Sequence, residues 1–105
     1  MGQVNGVFAL ISSFDDSKVV ANNILTPNGD GVNDTWIVKN LEFYPNNKVT
    51  VYDRGGNIVY TKLGYANDWA GNYHGSILNQ GTYYYLVDLG NGSTLRGFIT
   101  VVRDR

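Results

Sequence analysis

Short alternating runs, cut apart by glycine, asparagine and proline, constrain this chain more than any other feature. From Lys48 to Asp53, Val49 and Val51 fall on one side and Thr50 and Tyr52 on the other. A period of two places such sets on opposite faces of a strand, one for a core and one wet or half-buried. Comparable runs are Val7 to Ile11, Lys18 to Leu25, Thr35 to Lys39, Asn57 to Lys62, Thr82 to Leu89 and Leu95 to Val102. The pattern predicts about seven strands, no helix and an all-β fold.

Turn chemistry organises these runs. Asp53-Arg54-Gly55-Gly56-Asn57 joins two of them within hairpin distance, and Gly90-Asn91-Gly92-Ser93 joins the last two. Between these hairpins, Leu63 to Gly81 is long and dotted with glycine, and it carries Trp69 and Tyr73, rings too large to be left without packing partners. This segment is expected to cross between sheets. Short strands at this spacing match an immunoglobulin-like, two-sheet antiparallel β-sandwich. The 105 residues suffice for one domain, burying roughly 65% of the unfolded chain's surface. Residues 1–23 are less patterned and read as a linker or an edge strand; residues 24–105 read as the folded domain.

Charge and composition narrow the function. A formal net charge of -1 gives no field for nucleic acid or an anionic membrane. The absence of cysteine removes disulfides and thiolate metal sites. No apolar run approaches the ~20 residues of a membrane-spanning helix, and Val7 to Ile11 is too short for a signal-peptide core. No membrane insertion is expected, and the chain is expected to be a monomer.

The segment Thr26-Pro27-Asn28-Gly29-Asp30-Gly31-Val32-Asn33-Asp34 has two readings. In the first it is a calcium loop. Setting Gly31 at the sixth position of the helix-loop-helix calcium template aligns Asn28, Asp30, the Val32 carbonyl and Asp34 with ligand positions. Thr26 replaces the usual first Asp and Ile37 the bidentate Glu, so such a site would be weak, on the order of millimolar. In the second reading the segment is a pair of turns held by Asx side chains, needing no cofactor.

Catalysis finds little support. His74 is the single histidine, Asp68 beside Trp69 lacks a carboxylate partner, no serine sits in a nucleophile elbow, and Gly56 opens no phosphate loop. Tyr83-Tyr84-Tyr85, or Trp69 with Tyr73, would suit a sugar-stacking platform. Alternation, however, sends Tyr83 and Tyr85 one way and Tyr84 the other, so at least one set belongs to the core.

The motifs occur in a telling order: TPNGDGVND, then FYPNNKVTVYDRGGNIVY, NDWAG, LNQGTYYYLVDLGNG and RGFITVVR. From Ile24 to Arg103 this order resembles the gliding-motility-associated C-terminal domain, the type B C-terminal signal of type IX secretion in Bacteroidota. The resemblance implies an immunoglobulin-like sandwich at the end of a large secreted protein, with Trp36, Trp69, Gly71, Gly81, Tyr83 and Tyr85 as structural motif residues. It implies a non-catalytic address, requiring no cofactor, that is read by the outer-membrane translocation machinery and a PorP-type outer-membrane protein. The cargo would pass through the periplasm to the cell surface or the medium. The chain given would then be a terminal fragment of a precursor whose export signal lies elsewhere.

Two departures stand out: the family usually has an aromatic where this chain has Gly55, and often an acidic residue where it has Ala70. Contacts through that hairpin are therefore not carried over. The expected docking element is the strand Leu95 to Val102, with Arg96, Arg103 and Arg105 as anchors for carboxylates. The plain alternative is an ordinary strand with a frayed basic end. The rival function is a calcium-dependent or carbohydrate-binding sandwich module of a surface adhesin; a structural spacer is a third.

Overall fold

A computed structural model of the chain describes residues 18–29 and 31–103. The expected strand Val7 to Ile11 and the candidate residues Asp30 and Arg105 lie outside the described residues. The elements are β1 (Val20–Ala21), β2 (Ile24–Leu25), β3 (Val38–Lys39), β4 (Lys48–Tyr52), β5 (Ile58–Leu63), β6 (Asn72–Tyr73), β7 (Ser76–Ile77), β8 (Gly81–Asp88) and β9 (Thr94–Val101). A 3₁₀ turn spans Leu41–Phe43, and no described helix is long and apolar enough to cross a membrane.

Five strands form the main sheet in the order β2-β9-β8-β4-β5, while β1 pairs with β3 and β6 with β7. The expected hairpins both form: β4 pairs antiparallel with β5, and β8 with β9 from Gly81↔Val101 to Asp88↔Thr94. The result is an all-β sandwich, antiparallel except where β2 runs parallel to β9.

The run Lys18 to Leu25 is two strands rather than one. Val20–Ala21 pairs with β3, whereas Ile24 and Leu25 pair with Thr100 and Val101. Asn22 and Asn23 carry the chain from one layer to the other, and the Asn22 amide donates to the Ile37 carbonyl at 2.9 Å. Thr35 to Lys39 is likewise shorter than expected. The Trp36 amide donates to the Trp69 carbonyl and the Val38 amide to the side-chain oxygen of Asn67, each at 2.9 Å. Loop groups thus satisfy backbone that a regular ladder would otherwise pair.

The inner face of the main sheet presents Leu25, Val49, Val51, Val59, Tyr83, Val87, Ile99 and Val101 to the core. Trp36, Val38, Leu41, Tyr65, Trp69 and Leu78 close over it. Each fully buried aliphatic side chain contributes about 1.5–3 kcal/mol relative to exposure. The segment from Leu63 to Gly81 leaves β5 at one edge and returns to β8 in the same sheet. On the way it forms the separate β6–β7 sheet, as expected of a crossing segment, and lays Tyr65, Trp69 and Leu78 across the core.

Candidate functional site

The segment from Thr26 to Asp34 closes on itself. Gly29, Gly31 and Asn33 take positive φ of 80°, 83° and 55°, which turns successive amides inward. Asp34 collects them: Oδ1 accepts from the amides of Asn28 (3.2 Å) and Gly29 (2.9 Å), and Oδ2 from that of Gly31 (2.6 Å). The Val32 carbonyl accepts from the Thr26 hydroxyl at 3.0 Å, and the Thr26 amide donates to the Asn33 carbonyl at 2.8 Å. Two of the four candidate calcium ligands, Asp34 and the Val32 carbonyl, are thereby engaged in ordering the turn, and Asn28 contributes its amide to the same network. Among the described residues no three His, Cys, Asp or Glu side chains group as a metal cluster.

Behind this loop lies an aromatic cluster built from the motif residues. Trp36 is fully buried; its ring centroid is 5.4 Å from that of Tyr65 and 5.4 Å from that of Tyr85, and its indole N–H donates to the Asn22 carbonyl at 2.9 Å. Trp69 stacks on Tyr60 at 4.6 Å and 17°. Tyr83 is buried and donates to the Asn79 carbonyl at 2.8 Å. Gly71 sits against Leu25 and Pro27, tying the loop to the cluster. Burial pushes the phenols of Tyr60, Tyr65, Tyr83 and Tyr85 upward, Tyr65 furthest, so all four stay neutral hydrogen-bonding groups at ordinary pH.

The opposite face of the main sheet is open. In register across four strands lie Ile58, Tyr52, Tyr84 and Phe98, and the next row carries Thr61, Thr50, Leu86 and Arg96. Tyr84 is 46% exposed and Phe98 48%. A groove of about 550 Å³ runs between Tyr52, Tyr84, Leu86, Arg96 and Phe98. Its floor is thin at Gly97: a Cβ there would lie 2.7 Å from the Tyr85 hydroxyl, so Tyr85 packs flat under the strand.

The two described anchors, Arg96 and Arg103, are not gathered into one patch. Arg96 projects from β9 beside the groove; Arg103 lies beyond the strand's end, where its amide donates to the Gln80 side chain at 3.2 Å. His74 is exposed at the β6–β7 turn against Tyr73, with ring centroids 4.1 Å apart. Asp53 accepts from the amides of Gly55 and Asn57, and the Asn57 bonds above all hold its carboxyl below the usual range. Of these groups, Asp53 and His74 belong to turns.

The exposed ring of Phe98 is not singled out by the sequence motifs. Alternation on β9 carries the signal for Phe98, because Ile99 and Val101 claim the core face and leave Phe98 outside. Asn47 and Tyr65 were missed as well: buried Asn47 donates to the Tyr44 carbonyl at 2.7 Å and accepts from the Tyr65 amide at 3.0 Å.

No curated protein matches the chain. Residues 19–101 match the CHU_C type IX secretion signal domain. That stretch runs from the residue before β1 to the end of β9 and takes in the Asp34 loop, the aromatic cluster and the open face. A domain of this family marks a protein for export toward the cell surface or medium by the type IX machinery, and the chain belongs to the type IX secretion signal domain family.

Proposed function

We propose that this domain is a non-catalytic address that carries a large cargo through the type IX system, recognised as a folded surface rather than as an extended peptide. The carrying observation is the family match over residues 19–101, which takes in all nine described strands. The outer-membrane translocation machinery and a PorP-type outer-membrane protein are its partners, and β9 with Arg96, Arg103 and Arg105 is the contact region. Exposed aromatic and arginine side chains are the residue types that anchor such interfaces. The domain acts as a monomer, and its Asp34 loop is a turn that functions without calcium.

A reporter bearing an export signal for the periplasm and fused to residues 1–105 tests this reading. Appearance of the reporter outside a type IX-competent cell supports it, and retention in the periplasm overturns it.

Tyr84 beside Phe98 favours a second reading, a carbohydrate-binding module. That reading requires saturable binding on a glycan array, weakened by Tyr84→Ala; calcium dependence would have to appear in the same titration.

A further inference from the structure

Among the described residues the main sheet has a vacant lane beside β9. The amides of Thr100 and Val102 donate outward from β9 to the Asn23 and Leu25 carbonyls, at 2.8 and 3.0 Å. Backbone groups alternate in direction along a strand, so the N–H and C=O of Thr94, Arg96 and Phe98 point the same way as those of Thr100. The β2 strand reaches only to Ile24, opposite Thr100, because the chain has crossed from the β1–β3 pair through Asn22 and Asn23. Nothing among the described residues bonds to the outward groups of Arg96 and Phe98.

Unpaired edge groups are a template for another strand, and sheets usually guard them. The far edge, β5, is guarded by a bulge at Val59 and by Lys62. The β9 edge carries no lysine, proline or bulge, and its register with β8 is unbroken.

Side chains along the lane define its occupant. Arg96 and Phe98 stand on the open face; Leu95 and Gly97 turn inward, half-buried. Arg96 is the one charged side chain from Thr94 to Phe98, and its guanidinium makes no hydrogen bond or ion pair among the described residues. A second copy pairing symmetrically about Arg96 would set two guanidiniums opposite each other, which is destabilising. A carboxylate at that place is complementary.

We propose that Thr94 to Phe98 accepts an extended segment of a partner protein in the lane of β2, with an Asp or Glu of that segment against Arg96 and an apolar side chain against Phe98. Main-chain bonds supply affinity, and the two side-chain contacts supply choice of partner. This rests on the reading of the domain as an export address.

The test uses the reporter fused to residues 1–105 in a type IX-competent cell. Arg96→Pro removes an outward N–H that pairs with nothing in the sheet, and proline is tolerated on such an edge. Arg96→Glu reverses the charge, Arg96→Lys keeps it, and Leu63→Pro disturbs the β5 edge instead. The exported fraction is expected to fall about tenfold or more for Arg96→Pro and Arg96→Glu and to stay within about twofold for Arg96→Lys and Leu63→Pro. The melting temperature of purified Arg96→Glu shows that the fold is kept, and that variant decides if Arg96→Pro does not fold.

Export of folded Arg96→Glu at the parent level overturns the strand-acceptor proposal and leaves the address reading standing. Retention of the parent fusion removes both. A purified parent domain that sediments as a dimer, with the dimer lost in Arg96→Pro, makes a second copy the occupant and likewise overturns the proposal.

Discussion

The Tyr65 hydroxyl donates to the Trp36 carbonyl at 2.6 Å and accepts from the Trp69 amide at 3.0 Å. One phenol thus fastens the stretch between the Asp34 loop and β3 to the long segment that roofs the core. Both tryptophans of the chain are placed through it.

Tyr65→Phe leaves a buried carbonyl and a buried amide without that partner. The expected loss is about 1–3 kcal/mol, read as a fall of roughly 4–8 °C in melting temperature for each kcal/mol. An unchanged melting curve would refute the fastening role.

The same residue predicts an alkaline limb. Burial raises the Tyr65 phenol above the ordinary tyrosine value of about 10, so folding favours the neutral form. A group whose folded pKa is raised contributes stability that is fully present below its unfolded value and is lost as pH rises through the folded value. The Tyr65 contribution should therefore be constant up to about pH 10 and decline above it. Denaturant titrations of the parent at rising pH should show this decline, with a shallower one in Tyr65→Phe.

Asp34→Ala removes the acceptor of three loop amides and is expected to lower stability by about 1–3 kcal/mol. Asp34→Asn should fall between the two, since its one remaining carbonyl serves fewer donors. Millimolar Ca²⁺ should leave the parent's melting temperature where it is; a rise would reveal binding to the folded state.

Gly97→Ala places a methyl group 2.7–3.0 Å from the Tyr85 phenol, whose ring packs against Trp36. Overpacking of this kind costs about 1–3 kcal/mol. Combining it with Tyr85→Leu should give less than the sum of the two losses in a double-mutant cycle, because the clash partner is gone.

Much of the sandwich was legible in the residues. Alternation found β4, β5, β8 and β9 nearly to their ends, and it separated Tyr84 from Tyr83 and Tyr85. The division of Lys18 to Leu25 was not legible, because nothing in Val19, Val20 and Ala21 says which layer will pair with them. That choice is made by β3 and β9, each distant along the chain. The Asp34 loop was legible as a turn, but its oxygens were ambiguous: the same Asn and Asp spacing serves a cation or inward amides, and only the positive φ values decide the direction of the amides. The lane beside β9 left no local trace at all, since an edge is defined by where a neighbour stops.

That neighbour also has a mechanical consequence. If the domain is held at β9 while the chain is drawn from the side of Val20, the pull reaches β2 along its own axis, parallel to β9. The Thr100–Asn23 and Val102–Leu25 bonds then bear the load together in shear instead of unzipping in turn. The short β1–β3 ribbon stands upstream of them and can yield first, acting as a fuse that spares the five-stranded sheet.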